Sequence, residues 1–159
     1  MSRVRKILIS NILLLALVTC AHAEATLYTL SGEKISFSSL RGKWVIISYW
    51  ASWCRLCMEE IPEFNRFYEQ NKNNNLAMFA VNYDALPAIE QKMLVQQFNI
   101  RYPSLRQDPA ATLQLGNINA VPATFIFTPE GKLSHTLYGR QTSHSLTRAI
   151  TQAYRSNVH

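Results

Sequence analysis

Two cysteines three residues apart, Cys54 and Cys57, stand where an unbroken apolar run gives way to a helical pattern, and that junction limits what the chain can fold into. Residues 44–50 (WVIISYW) read as a buried strand, and Ile61, Phe64, Phe67 and Tyr68 follow at helical spacing. Cys54 therefore falls where a helix begins. Unpaired backbone N–H groups and the positive end of the macrodipole favour a thiolate there, and a lowered thiol pKa is what thiol–disulfide exchange requires. One turn on, Cys57 comes within bonding reach of the first sulfur and is shielded by the turn itself. Cys54 is thus expected to be the exposed nucleophile and Cys57 the resolving thiol.

The remaining cysteine, Cys20, lies in a segment with the pattern of a signal peptide. Arg3, Arg5 and Lys6 precede an apolar run at 12–18, and Ala21-His22-Ala23 supplies small residues at the spacing of a cleavage site. The expected organisation is a signal peptide over residues 1–23 and one domain over 24–159. An uncleaved membrane anchor is the alternative, but Ser10 and Asn11 interrupt the run and leave it short for a span. Lipid attachment at Cys20 is disfavoured by the bulk of Thr19.

After cleavage only the motif pair remains, and so small a loop does little to constrain an unfolded chain. The pair is therefore read as chemical, not structural. Half a zinc site is the competing reading. It needs two further ligands, and His135, His144 and His159 lack ligand spacing, so no metal is expected.

The formal charge of +6 falls to +3 without residues 1–23, which leaves 13 basic and 10 acidic residues. The basic residues are scattered and form no stripe interleaved with aromatics, which argues against nucleic-acid binding. A composition 48% hydrophobic and 16% charged suits an ordinary globular domain.

Residues 27–30 and 35–37, joined by Ser31-Gly32-Glu33-Lys34, read as a hairpin. The helix that opens at the cysteines should run to about residue 70, with Pro62 inside it as a source of a kink. A strand is predicted at 76–83, and a helix after Pro87 with Ile89, Met93, Leu94 and Phe98 on its apolar face. Residues 102–105 are a short strand candidate. Asp108-Pro109 reads as the opening of a helix ending near Gly116. Strands at 121–128 and 133–138 flank a turn at 129–132. In the last helix Ser143 is expected to cap, with Leu146, Ala149, Ile150, Ala153 and Tyr154 forming the apolar face. This order describes a mixed sheet between helices.

The stretch Trp50-Ala51-Ser52-Trp53-Cys54-Arg55-Leu56-Cys57 resembles the W-x-x-W-C-x-x-C of the thioredoxin superfamily. Cys57, Glu60 and Pro62 together resemble the TlpA-like and ResA-like branch of periplasmic thiol–disulfide oxidoreductases. The resemblance implies an α/β thioredoxin fold, a mixed central sheet flanked by helices, with an N-terminal β-hairpin and an added strand–helix insertion. It also implies that Val121-Pro122 is a cis pair facing the cysteines, with the backbone of Val121 free to pair with an extended substrate segment. Glu60 matches an acid held near the active site, able to exchange a proton with the thiols if it is buried and its pKa raised. Its competing role is a favourable acid in a helix's first turn. Trp53, beside the nucleophile, is the candidate for partner contact, while Trp50 packs and shields.

By the same resemblance, the chain is expected to reduce protein disulfides in the periplasm. Electrons would come from a membrane donor of the DsbD or CcdA kind, clients would include apocytochrome c, and no bound cofactor would be needed. Two departures stand out. Ser48 occupies the strand position where thioredoxin carries a buried aspartate, and Arg55-Leu56 lacks the proline common between the cysteines. Arg55 puts a cation near Cys54, which favours the rival reading of an oxidase or isomerase, although the helical insertion of DsbA-like oxidases is missing. A non-catalytic binding or chaperone module using the Pro122 face is the rival from another class, and a peroxidase fits the paired cysteines less well. Oligomeric state is not legible.

Overall fold

The computed structural model describes residues 24–156. The expectations for residues 1–23, including Cys20 and the cleavage site, and for His159 lie outside the described residues. An antiparallel hairpin, β1 (Thr26–Tyr28) and β2 (Lys34–Ser36), comes first, followed by a single 3-10 turn at Phe37–Leu40. β3 (Trp44–Trp50) leads into α1 (Arg55–Asn71), and β4 (Leu76–Asn82) into α2 (Ala88–Gln97). The chain closes with β5 (Ser104–Leu105), β6 (Ala123–Phe127), β7 (Leu133–Tyr138) and α3 (Ser143–Ser156).

The main sheet has the order β5-β4-β3-β6-β7, with β4 parallel and β6 antiparallel to the central β3. Alternation along β3 divides its side chains between two cores, which is why the strand carries almost no polar residue. Ile46 and Trp50 face a core completed by Ile61, Phe64 and Phe67 of α1, Leu146 and Ala149 of α3, and Leu94, Val95 and Phe98 of the α2 segment. Val45, Ile47 and Tyr49 face the other core with Phe79, Val81, Phe125 and Phe127. Each such side chain taken fully out of water contributes about 1.5–3 kcal/mol. The expected architecture is the observed one, including the N-terminal hairpin and the inserted β4–α2 unit.

Several local expectations are corrected. No helix forms at 109–116. The Asp108 carboxylate does accept the N–H of Ala110 at 2.8 Å, but Gln114 and Gly116 adopt φ of 54° and 76° and stop the turn after one cycle. The segment covers the second core as a loop instead, through Leu113, Leu115 and Ile118. In α2 half of the expected face holds: Leu94 and Phe98 pack inward, but Ile89 and Met93 are 66% and 56% exposed. The inward positions are Gln91, Leu94, Val95 and Phe98, spaced i, i+3, i+4 and i+7. Gln91 can lie inside because its Nε2 donates to the carbonyls of Leu86 (2.6 Å) and Arg106 (3.3 Å).

At α3 the cap is Thr142 and not Ser143. Thr142 Oγ1 accepts the N–H of Ser145 at 3.2 Å while Ser145 Oγ accepts the N–H of Thr142 at 2.9 Å, a reciprocal capping box. Tyr154, expected on the apolar face, is exposed. Pro62 lies inside α1, and the helix continues through it.

Candidate active site

The end of β3 turns directly into α1, so the geometry of the helix start decides what the cysteines can do. Cys54 is the N-cap, in extended backbone conformation, and its Sγ accepts the N–H of Cys57 at 3.1 Å. The two sulfurs form a disulfide, with Cα atoms 5.3 Å apart. In the dithiol state that same N–H and the helix dipole would favour a thiolate at Cys54. Cys57 is 0% exposed and Cys54 only 6%, so the nucleophile assigned from the sequence is the more accessible sulfur but presents only a small face. A partner must reach it through that opening.

Trp53 is the exposed side chain beside it, at 65%. Its indole Nε1–H donates to Asp84 Oδ1 at 2.9 Å, and its ring meets that of Tyr83 edge-on at 6.4 Å. The β4–α2 connection thus fixes a flat aromatic surface next to Cys54. Trp50 is buried, as expected, with its ring edge-on to Phe98.

Glu60 follows Cys57 by three residues and so lies on the same face of α1. It is 2% exposed, and its Oε1 accepts the N–H of Gln141 at 2.7 Å. Burial pushes its pKa up to about 8, against the lowering effects of the Gln141 N–H and the Arg140 charge. Tyr102 is buried nearby, its hydroxyl bonded to Ser48, and burial together with the Glu60 charge holds its pKa far above the ordinary phenol value. The strand that in thioredoxin supplies an aspartate here offers only the Ser48 hydroxyl, and the buried carboxyl comes from the helix.

Val121–Pro122 is cis and immediately precedes β6. Pro122 is buried and Val121 half-buried. Ala123, the next residue, pairs with Tyr49, one step before the end of β3, which brings this turn to the end of the sheet where Cys54 sits. Arg55 is 87% exposed at its side chain and lies 3.6 Å from Glu59 Oε1, so its charge is shared with a carboxylate.

The family model for the AhpC/TSA family matches residues 18–136. The chain belongs to the AhpC/TSA family. Among curated proteins this AhpC/TSA member resembles thiol-disulfide oxidoreductase ResA of Bacillus cereus (strain ZK / E33L), at 27% identity over 117 residues, or 74% of this chain and 67% of the relative. Among solved structures it resembles StoA from Bacillus subtilis, at 26% identity and a TM-score of 0.61 over 78% of this chain and 93% of the other. It also resembles a thioredoxin-family thiol:disulfide interchange protein from Chlorobium tepidum TLS. That likeness has 24% identity and a TM-score of 0.66, over 82% and 92% of the two chains, and it speaks for the thioredoxin fold.

Arg140, Gln141, Tyr102 and Asp84 escaped the sequence reading. Each reaches the site from a distant part of the chain, and no local spacing marks them. The burial of Glu60 did carry a signal: it is in phase with Cys57, Ile61 and Phe64, whereas Glu59 is not.

Proposed function

We propose that this chain reduces protein disulfides in the periplasm, with Cys54 as nucleophile, Cys57 as resolving thiol and Glu60 as the group that exchanges a proton with Cys57. The coarser statement, a thioredoxin-like thiol–disulfide oxidoreductase of the ResA/DsbE type, rests on the family, the relatives and the paired cysteines together. The observation that carries the finer reading is a buried carboxyl one helical turn below a buried, solvent-shielded cysteine.

The Cys54 thiolate attacks one sulfur of a client disulfide, and the other client sulfur leaves as a thiolate. A mixed disulfide joins Cys54 to the client. Cys57 then passes its proton to the ionised Glu60 and attacks Cys54 Sγ, which closes the Cys54–Cys57 bond and releases the second client thiolate. Two electrons move from the dithiol to the client. Cys57 has no solvent to take its proton, and Glu60, its pKa pushed up to about 8 by burial, suits that exchange. The Trp53 face and the backbone of Val121 receive the client segment, and Pro122 packs beneath it. Re-reduction falls to a membrane donor of the DsbD or CcdA kind, and residues 1–23 serve as the export signal. No helix among the described residues is long and apolar enough to cross a membrane. The pairing of Arg55 with Glu59 reduces the support that Arg55 gave to an oxidase.

The test is the equilibrium reduction potential of the Cys54/Cys57 pair in a dithiothreitol series, alongside turnover of a disulfide-bonded peptide. A potential well below the roughly −180 mV of an isomerase, with turnover abolished in Cys54→Ser, supports a reductase. A value near the roughly −120 mV of a strong oxidant would make the chain a disulfide-forming enzyme.

A further inference from the structure

Three carboxylates of α1 meet the short strap that joins β7 to α3, residues 139–142, and the first residue of α3, Ser143. Glu59 Oε2 lies 3.8 Å from Arg140 Nη1, Glu60 Oε1 accepts the Gln141 N–H at 2.7 Å, and Glu63 Oε2 accepts both the N–H and the hydroxyl of Ser143 at 3.2 Å. The Ser143 hydroxyl also donates to the Glu63 carbonyl at 3.0 Å. Glu59 is exposed and Glu63 partly so, but Glu60 is buried. Arg140 is the cation of this strap, with its side chain 45% exposed, and its charge acts on Glu60 and Glu63 as well as on Glu59.

We propose that Arg140 is a positioning residue for the reaction: acting from the strap beside the Gln141 N–H, it keeps the Glu60 carboxyl available as a proton acceptor below Cys57. This rests on the role given to Glu60 under the proposed function.

The titratable and charged groups facing Glu60 can be taken element by element. Its own helix contributes the Cys54–Cys57 pair and the carboxylates Glu59 and Glu63. The segment before β5 contributes Tyr102, which bonds Ser48 of β3 and stays protonated. The strap contributes Arg140, and α3 begins with the neutral Ser143 hydroxyl. Arg55 and Arg66 pair with Glu59 and Glu63 from the same helix, at 3.6 and 2.8 Å, whereas Arg140 reaches Glu59 from the strap, as the residue before the Gln141 N–H that holds Glu60. Against a burial effect that favours the neutral acid, the Gln141 N–H and the Arg140 charge favour the carboxylate. The N–H is fixed by the backbone of the strap. Arg140 is the side chain through which this balance can be changed, and near neutral pH a small change alters how much of Glu60 can accept a proton.

The test is a carbon-13 NMR titration of the Glu60 carboxyl in the oxidised protein, where the cysteines do not titrate. It compares wild type, Arg140→Met and Arg140→Lys, and each is also followed by the pH profile of kcat/KM for peptide disulfide reduction. Loss of the charge should raise the proton affinity of Glu60 about threefold or more. The rising limb of the activity profile should move to higher pH with it, and lysine should restore both. Added salt should bring the wild-type midpoint toward that of the Met variant. An unmoved midpoint in Arg140→Met overturns the inference alone, as does a Lys variant that behaves like Met, since the effect would then not be one of charge. A midpoint that moves while the turnover profile stays in place overturns the Glu60 reading, and with it the claim that Arg140 serves the reaction.

Discussion

Glu60→Gln should change how the stability of the oxidised protein depends on pH. The carboxyl is 2% exposed, and its pKa rises from 4.5 to about 8 on folding. Each pKa unit is worth 1.36 kcal/mol, so the folded state favours the protonated over the ionised acid by on the order of 5 kcal/mol. The sign follows from the raised value. This contribution is fully present below about pH 4.5 and is lost as pH rises through about 8. Across that window the wild-type unfolding free energy should fall by about 1.4 kcal/mol per pH unit relative to a chain without the group. Glutamine does not titrate and can still accept the Gln141 N–H through its amide oxygen.

The assay is urea denaturation of wild type and Glu60→Gln between pH 5 and 9, with the disulfide intact. Exchanging a hydroxyl for an amide adds a constant offset, so the informative quantity is the slope of the difference. Glu24, Glu63 and Glu130 have lowered pKa values, but they are common to both proteins and cancel. A difference that stays flat from pH 5.5 to 8.5 would show that Glu60 ionises freely in the fold, and the proton-acceptor reasoning would fail with it.

Cys57→Ser should accumulate a mixed disulfide between Cys54 and a client, visible as a higher-mass band on non-reducing gels; rapid release without accumulation would refute the resolving role. Trp53→Ala should raise KM for a peptide disulfide several-fold with little change in melting temperature, because the ring is 65% exposed and held by Asp84 and Tyr83 at the mouth of the site; a loss confined to kcat would contradict partner contact. Phe64→Ala, at a fully buried ring 6.3 Å from that of Tyr102, should cost about 3–5 kcal/mol of stability, measured by chemical denaturation, and a cost below ~1 kcal/mol would mean the core collapses around the gap.

Elements whose sequence has a single period were read well. Residues 44–50 are β3 to the residue, because a strand covered on both faces must be apolar throughout. The helix at the cysteines has a clear start and a polar stop at Asn73-Asn74-Asn75. Where two patterns compete, reading failed. In α2 the apolar Ile89 and Met93 suggested one face, while the polar Gln91 lies inside because the loops at Leu86 and Arg106 satisfy its amide. Asp108-Pro109 has the chemistry of a helix start, and its carboxylate caps a turn, but it also accepts the Tyr49 hydroxyl at 2.5 Å. That second bond ties the loop to the sheet, and the positive φ angles at Gln114 and Gly116 end the turn.

Glu60 shows why residue type alone does not define this site. Glu59, Glu60 and Glu63 lie within five residues of one helix and have the same chemistry. Helical phase separates them. Glu59 points toward solvent and pairs with Arg55 and Arg140, and Glu63 sits at the rim and holds the start of α3. Only Glu60 shares the face of Cys57, Ile61 and Phe64, so the same packing that buries Cys57 also buries the acid. The burial that makes the acid costly to ionise also leaves Cys57 without water to receive its proton. The proposed proton exchange rests on that shared face of α1, and the proposed role of Arg140 rests on the strap whose Gln141 N–H holds the same carboxyl.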